Sequence, residues 1–263
     1  MKKLFAVIFT LVLFAFYSCD SITLSGINIE KSFPIEGSYT ELQVENAFEV
    51  TVSHEATQIT VTTDENVMPY VLVEKVGEKL RIHLKPLTLN VGMDLKVELP
   101  YNPALKNVKL SGASEFHSEY GLEGRKIEVE LSGASEFHCD MEATEEIDMD
   151  LSGASQIKSH ITANELDLEL SGASDATLEG QVTKLDIDLS GASNITKKVI
   201  GNRYALICDR CEGQLSGASD AFIHCDGIIQ VSLSGASDLH YTGDAATSGS
   251  STSGSSGLIH DVL

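Results

Sequence analysis

The pentapeptide Leu-Ser-Gly-Ala-Ser occurs seven times in this chain of 263 residues. Its leucines are Leu110, Leu131, Leu151, Leu170, Leu189, Leu215 and Leu233, so successive copies are separated by 21, 20, 19, 19, 26 and 18 residues. A period near 20 residues with one longer step is typical of repeat proteins, in which each repeat packs mainly against its two neighbours. The sequence therefore predicts a stack of similar units, and we expect the 26-residue step to bulge as a longer loop or an extra turn.

Apolar and polar residues alternate in the segments that precede the motif, such as KIEVEL, ELDLEL and KLDIDL. A period of two residues is typical of half-buried β-strands. If the repeats stack about 4.8 Å apart, the inward side chains form continuous aliphatic columns. The sixth residue after each leucine supplies another predicted core column, in which we expect Phe222 to replace Ala221 through a one-residue bulge.

The motif itself predicts a tight corner that recurs in every repeat. Glycine adopts backbone angles that a β-carbon would forbid, and it lets neighbouring chains approach closely. An eighth, degenerate copy is hidden in the Ser/Gly-rich C-terminal segment, where Ser253-Gly254-Ser255-Ser256 follows the preceding copy by 19 residues. The predicted corner glycines are Gly112, Gly133, Gly153, Gly172, Gly191, Gly217, Gly235 and Gly254.

The first residues are typical of an exported lipoprotein. Lys2 and Lys3 precede an apolar run from Leu4 to Tyr17, which predicts a signal peptide over residues 1–18. The Ser-Cys pair that follows resembles a bacterial lipoprotein cleavage box, so Cys19 is the predicted lipidation site. We expect residues 19–38 to be a lipidated tether and the protein to be held at the outer membrane by lipid, without spanning it. Whether it faces the cell surface or the periplasm stays open.

The rest of the chain divides by the presence of the motif. Residues 39–105 carry alternating strands without it, and they predict about six strands that pack on or merge with the first repeats. Residues 106–263 form the predicted solenoid, which we expect to be continuous with residues 39–105. Helix signals are nearly absent, so the predicted fold class is all-β.

A resemblance to a known family adds to these predictions. The segment FEVTVSHEATQITVTTDENVMPYVLVEKVGEKLRIHL, followed by VELPYNPALKNVKLSGAS and the serial motifs, resembles the autotransporter-adhesin "head GIN" domain family, which is common in lipoproteins of Bacteroidetes. The resemblance covers roughly residues 40–260. It implies a right-handed parallel β-helix-like fold, and it brings no catalytic residues with it.

Charge excludes some partners and suggests others. The formal net charge is −21, so nucleic acid would be repelled and anionic lipid heads are disfavoured as a docking surface. Two columns of carboxylates are predicted before the repeat leucines. A solvated acidic surface is the plainest reading, and weak multi-site Ca²⁺ binding is the alternative, because Ca²⁺ accepts carboxylate oxygens in flexible geometry. The candidate residues are Glu128, Asp148, Asp167 and Asp186, together with Glu130, Asp150, Glu169 and Asp188.

The cysteines and histidines give weaker signals. Cys208 and Cys211 have the spacing of a redox or zinc pair, but no second pair of ligands stands at zinc spacing. Free buried thiols, a disulfide between them and a metal site therefore all stay open. His117 and His138 occupy equivalent positions in adjacent repeats, and we expect them to point outward and to stack.

Three functions are compatible with the sequence. We expect a non-enzymatic envelope lipoprotein that displays an acidic β-solenoid for adhesion, binding or scaffolding, with an extended glycan or a cell-surface molecule as partner. The alternative is a polysaccharide lyase or hydrolase on the same scaffold, but the carboxylates repeat uniformly and the chain has no Trp. A weaker alternative is a periplasmic sensor or stress-response component. No cofactor is expected apart from weakly bound Ca²⁺.

Overall fold

The computed structural model describes residues 21–263 except residues 36, 87 and 90–92, so the predicted signal peptide and Cys19 lie outside the described residues. The described part is all-β, as predicted, and a 3₁₀ turn at Met68–Tyr70 is its one helical element. The strands are β1 (Ser21–Ile22), β2 (Asn28–Phe33), β3 (Glu41–Val44), β4 (Glu49–Ser53), β5 (Ile59–Asp64), β6 (Val71–Val76), β7 (Lys79–Leu84), β8 (Thr88–Leu89), β9 (Lys96–Pro100), β10 (Asn107–Leu110), β11 (Glu115–His117), β12 (Leu122–Leu131), β13 (Glu136–His138), β14 (Met141–Leu151), β15 (Gln156–Leu170), β16 (Asp175–Leu189), β17 (Asn194–Ile195), β18 (Val199–Ile200), β19 (Arg203–Tyr204), β20 (Leu206–Leu215), β21 (Asp220–Leu233), β22 (Asp238–Thr242), β23 (Ser251–Thr252) and β24 (Gly257–His260).

Twenty of these strands join in one mixed sheet, in which the repeats pair in parallel and in the predicted register. We call each repeat, from one motif to the next, a rung. All seven motif leucines are register partners of their neighbours, from Leu110 opposite Leu131 to Leu215 opposite Leu233. The register also holds across the 26-residue step, where Leu189 lies opposite Leu215. Equivalent residues of successive rungs therefore form columns.

Each corner is closed by the last serine of the motif. The hydroxyl of Ser174 donates a hydrogen bond to the carbonyl oxygen of Ser171 at 2.8 Å, and the same bond recurs in every motif copy. In the first seven copies this serine is fully buried, so the intramotif bond satisfies a hydroxyl that would otherwise be buried without a partner. The motif glycine, two residues before this serine, has a φ between +75° and +82° in all eight copies. This is the left-handed region, where a residue with a β-carbon is strained.

Aliphatic columns fill the inside of the stack. Val129, Met149, Leu168, Ile187 and Val231 are each 1% exposed or less. Phe116 and Phe137 stack in the core, with ring centroids 5.3 Å apart. Burial of one such side chain stabilises the fold by about 1.5–3 kcal/mol, and the columns repeat that contribution in every rung.

Residues 39–105 pair with the first rungs of the stack. Strands β3 and β4 pair in parallel with β10 and β11, so they form the rung below the first motif. Strands β7 and β9 pair in parallel beneath β3 and β4 in turn. Hairpin β6–β7 and strand β5 add antiparallel pairs at this end, which is why the sheet is mixed.

The N-terminal rung has a corner without the motif. Asn46 stands where the motif has glycine, has a φ of +80°, and accepts a 2.6 Å hydrogen bond from the backbone N–H of Ala113. Asparagine tolerates the left-handed region better than other residues with a β-carbon. Its side-chain oxygen also accepts a hydrogen bond from the N–H of Leu84 at 2.9 Å.

The expected tether is partly structured. Strand β2 pairs antiparallel with β5 along six residues, and β1 pairs in parallel with β8. The prediction of a plain tether over residues 19–38 is therefore wrong for the described residues 21–22 and 28–33. Apolar and polar residues alternate too little in these segments to predict a strand. Strand β2 forms by pairing with β5, and the sequence gives no sign of that pairing.

The sixth copy has no bulge of the predicted kind. Ala221 lies in register between Ile195 and Leu239 and is fully buried, so the prediction that Phe222 replaces it is wrong. Phe222 instead stacks on the His240 ring at a centroid distance of 4.7 Å. The extra residues of the 26-residue step form the antiparallel hairpin of β18 and β19, and this confirms the predicted longer loop.

The degenerate eighth copy is confirmed. Ser253 donates its backbone N–H to the carbonyl of Leu233 at 2.9 Å, as the corresponding serines of other copies do. Leu258 lies opposite Leu239 in the predicted core column, and it is half-buried because its rung is the last.

Candidate functional site

One surface of the stack is formed by the predicted carboxylate columns, which we call the acidic face. Its first column is Glu128, Asp148, Asp167 and Asp186, and its second column is Glu130, Asp150, Glu169 and Asp188; all are register partners along their column. Strand pairing places neighbours in a column about 5 Å apart. The structure therefore brings together all eight candidate residues, as the sequence predicts.

Cations neutralise the edges of this face. Lys109 Nζ lies 2.5 Å from Glu130 Oε1 and 3.4 Å from Glu128 Oε1. Lys126 and Lys184 approach Asp148 and Asp186, respectively, each at 3.5 Å. The hydrogen bond from Glu128 to Glu130 raises the pKa of Glu128, and its burial does so too. The basic residues thus stand beside Glu128, Glu130, Asp148 and Asp186.

The centre of the acidic face has no such partner. Within the described residues, Asp150, Asp167 and Glu169 form neither an ion pair nor a side-chain hydrogen bond, whereas Asp188 accepts one from Gln214 Nε2 at 2.7 Å. Partial burial raises the pKa of all three unpaired carboxyls, and the charge of the flanking carboxylates raises it further. In the described part of the chain, no three His, Cys, Asp or Glu side chains converge with the geometry of a metal site.

A second surface collects the histidines, and we call it the histidine groove. Its volume is about 320 Å³, and it crosses four rungs. It is lined by His117, Ser118, Glu119, His138, Cys139, Asp140, Lys158, Ser159, His160 and Glu179. His117, His138 and Lys158 are register partners in one column. Both histidines point outward as predicted, but their rings meet edge to face, with centroids 6.1 Å apart and an angle of 71°, and are not stacked.

Three aromatic rings lie beside the first rung of this groove, where Tyr120 directly follows the groove residue Glu119. His54, Tyr101 and Tyr120 form the aromatic cluster, with centroid distances of 4.3 Å between His54 and Tyr101, 4.2 Å between His54 and Tyr120, and 5.3 Å between the tyrosines. Ser118 is common to the lining of the groove and of the apolar recess that Tyr101 and Tyr120 also line, so the two features are neighbours. Sequence reasoning missed this cluster, because its members come from three segments outside the repeat pattern.

The matches to known proteins agree with this architecture. The model of the family described as "Putative auto-transporter adhesin, head GIN domain" matches residues 38–245, about four fifths of the chain. The chain belongs to this family. No curated protein matches it significantly.

Solved structures share the fold of this head GIN domain. A "putative adhesin" from Parabacteroides merdae superposes with a TM-score of 0.78 at 18% identity, covering 93% of this chain and 100% of that one. A "putative adhesin" from Parabacteroides distasonis gives 0.75 at 19% identity, covering 92% and 98%. A "putative lipid binding protein" from the same species gives 0.74 at 21% identity, covering 93% and 100%. At these identities the likeness establishes the fold alone.

The thiols of this head GIN domain are buried in its core. Cys139, Cys208, Cys211 and Cys225 are free. Burial raises the pKa of Cys139 to about 12 and raises that of Cys211 well above its usual value. Cys208 lies opposite Cys225 in the next rung; their mutual hydrogen bond raises the pKa of Cys208 and lowers that of Cys225. Of the alternatives left open by the sequence, free buried thiols describe this structure.

Tyr204, His240 and Asp261 form a polar triad that resembles a catalytic arrangement. Asp261 accepts hydrogen bonds from the hydroxyl of Tyr204 and from His240 Nδ1, the latter at 3.0 Å. Tyr204 is fully buried, and burial together with the Asp261 carboxylate raises the pKa of its hydroxyl. A hydroxyl that is buried and hard to deprotonate is poorly suited to act as a nucleophile or base. The triad ties the C-terminal segment to the hairpin of the 26-residue step.

Proposed function

We propose that this chain is a non-enzymatic lipoprotein of the cell envelope that acts as an adhesin, binding a partner along the faces of its stacked rungs. The observation that carries the proposal is the regularity of those faces. The acidic columns continue through four rungs in register, whereas a glycosidase site needs one distinct pair of carboxylates with assigned roles. Membership of an adhesin-described family supports the same function.

The finer architecture follows from the same columns. We infer that the parallel rungs wind as a right-handed β-helix, because crossover connections between parallel strands are right-handed in nearly all known cases. Such a solenoid is stiff along its axis and presents long flat surfaces. That shape suits an extended ligand better than a small one.

Attachment to the membrane is the second part of the proposal. We assign the anchor to acylated Cys19 after removal of residues 1–18, with the outer membrane as the site. Among the described residues, no helix has the length and apolarity that crossing a bilayer requires. A lipid anchor would hold the domain at the membrane and leave its faces free.

Lipid binding, suggested by one neighbour's description, is less well supported here than surface binding. The apolar recess lined by Tyr39, Leu99, Leu105 and Leu122 holds only about 10 Å³ of free space. Ligand pockets of drug size usually measure about 300–1,000 Å³. An acyl chain would have to displace core side chains to enter this recess.

The proposal is tested by deleting the gene for this chain from the bacterium that produces it and measuring adhesion of the cells to host tissue, mucin and other bacteria. We expect adhesion to at least one of these surfaces to fall and to return with the wild-type chain, but not with Cys19→Ala, which removes the anchor. Protease shaving of intact cells should digest the chain. Unchanged adhesion together with protection in intact cells would contradict the proposal and favour the periplasmic sensor.

A further inference from the structure

We propose that the histidine groove and the aromatic cluster form one binding site for a linear, uncharged glycan, with a sugar ring packed on the cluster and the following sugars lying along the groove. This inference rests on the proposed adhesin function and names its binding site. Nothing in the repeat pattern requires the cluster, because the rungs stack by their aliphatic columns.

The aromatic cluster presents the surface that sugars recognise. Tyr101 and Tyr120 are half-buried and His54 is exposed, so part of the cluster's surface is open to water. Aromatic side chains with this environment combine a large apolar surface with a polar edge. Within the described residues, neither tyrosine hydroxyl has a hydrogen-bond partner, so both are available to a ligand's hydroxyl groups.

The groove supplies unpaired polar groups at regular intervals. The rings of His117, His138 and His160, the ammonium group of Lys158 and the carboxylate of Glu119 form no side-chain hydrogen bond or ion pair in the described part of the chain. The acidic face differs, because its unpaired groups are all carboxylates, which can accept hydrogen bonds but donate none. Imidazole, ammonium and carboxylate groups together can donate to and accept from the hydroxyl groups of a sugar.

The spacing of the groove fits an extended polymer. Its lining comes from four successive rungs, ending at Glu179, so it is about 14 Å long at the usual separation of paired strands. One rung is comparable in height to one pyranose unit of an extended chain. The groove would therefore hold about three sugar units beyond the ring on the aromatic cluster.

The charge of the groove favours an uncharged glycan. The carboxylates of Glu119 and Asp140 outnumber the one ammonium group of Lys158, and Glu179 is paired with Lys198. A polyanionic glycan would meet the field of a chain with net charge −21 and would be repelled from most approaches. Sugar hydroxyl groups carry no such penalty.

The test is a binding measurement on the full chain. Calorimetric titrations use linear hexasaccharides of β-1,4-linked glucose, mannose and N-acetylglucosamine, and a hexauronate of the same length tests the charged class. We expect at least one neutral hexasaccharide to bind, and its trisaccharide to bind more weakly. Removal of a ring at a binding centre commonly costs more than about 1.4 kcal/mol, or tenfold in Kd, so Tyr120→Ala should weaken binding about tenfold.

Matched variants separate the groove from the fold. Tyr120→Phe keeps the ring and should retain most of the affinity, and His138→Ala should weaken binding. Tyr70→Ala, at a half-buried tyrosine away from the groove, should leave binding unchanged. Melting temperatures establish that each variant is folded; if Tyr120→Ala fails to fold, His138→Ala and the length dependence decide the question.

Three results would overturn the inference. They are the absence of binding by all neutral hexasaccharides, tighter binding of the hexauronate, and equal binding by wild type, Tyr120→Ala and His138→Ala. Adhesion of the cells is a separate readout for the adhesin function. If the deletion abolishes adhesion and the groove variants restore it fully, the assignment of the groove as the binding site is wrong, whereas the proposed function is supported. If the deletion has no effect on adhesion and the chain is protected from protease in intact cells, the proposed function fails whatever the groove binds.

Discussion

A β-carbon built on Gly172 would lie 2.5 Å from the carbonyl oxygen of Gly153 in the preceding rung. No real β-carbon approaches a backbone oxygen so closely. The same relationship holds between Gly191 and Gly172, at 2.4 Å, and it continues along the other motif glycines. The repeated spelling of the motif is therefore a consequence of close stacking at the corner, and each glycine is required by the rung beneath it.

Replacing Gly172 by Val should destabilise the fold by about 3 kcal/mol or more, because strain at positive φ adds to the clash with the neighbouring backbone. The matched control is Gly201→Ala in the β18–β19 hairpin. Gly201 also has a positive φ, +65°, but no atom lies within 4 Å of its built β-carbon, so its cost should be about 1–2 kcal/mol. Urea unfolding of both variants measures the difference, and equal losses would show that stacking is not the cause.

The two serines of one motif should differ in importance. Ser174→Ala removes a fully buried hydroxyl that donates to Ser171 at 2.8 Å, and it should cost about 1 kcal/mol. Ser171→Ala removes only a long 3.4 Å contact to Leu151 and should cost little. Denaturant midpoints compare the two variants. A Ser171→Ala variant as unstable as Ser174→Ala would contradict the assigned role of the buried hydroxyl.

The centre of the acidic face should make stability depend on pH. Burial and like charges raise the pKa values of Asp150, Asp167 and Glu169 in the folded chain. Protons therefore bind the folded chain more readily than the unfolded chain, and stability should rise as the pH falls from neutral through these raised pKa values. Once the pH is below the ordinary pKa of an unfolded carboxyl group, this gain in stability ends. Pairing with Arg81 lowers the pKa of Glu45, so protonation of Glu45 at still lower pH breaks the pair and should destabilise the fold.

A single substitution tests that origin of the pH dependence. Asp167→Asn should raise the melting temperature at pH 7 and reduce the gain on acidification. Glu142→Gln, which removes an exposed carboxylate outside the acidic face, should change neither. A stabilisation of equal size in both variants would attribute the effect to net charge and not to the column.

Calcium binding by the acidic face stays a prediction. If the unpaired carboxylates bind it, millimolar Ca²⁺ should raise the melting temperature beyond matched Mg²⁺ or ionic strength, and the gain at a tenfold excess over Kd is about 1.4 kcal/mol. The combined variant Asp150→Asn and Glu169→Gln should abolish the difference, whereas Asp140→Asn, outside the face, should not. Equal shifts with Ca²⁺ and Mg²⁺ would remove specific Ca²⁺ binding and leave a solvated acidic surface.

Sequence patterns predicted the rung register correctly because the leucine before each corner is both buried and fixed in position. Alignment on that leucine paired Leu189 with Leu215 across the longest step. The corner at Asn46 was missed because Val-Glu-Asn-Ala shares only the alanine and the backbone conformation with the motif. The prediction that Phe222 replaces Ala221 in the core column was wrong because it took the larger side chain to be the better core residue. Phe222 instead packs against Tyr204 outside that column.

The candidate sites differ in how far the sequence determines them. The acidic face follows from alternation within each rung, so its eight residues could be named in advance. The aromatic cluster depends on how Tyr101, in the segment after β9, meets Tyr120 between β11 and β12 and His54 after β4. Such a meeting of connecting segments is set by tertiary packing, and no local period encodes it.

The stacking of the repeats is tested most directly by distances between spin labels on one column. Labels at Asp167→Cys and Asp186→Cys, which are register partners, should be about 5 Å apart at the backbone and show strong dipolar broadening. Labels at Glu128→Cys and Asp186→Cys, three rungs apart, should be separated by about 14 Å and show much weaker broadening. The singly labelled chains supply the background. Broadening that is equal in the two pairs, or stronger in the distant pair, would contradict the register on which the whole account depends.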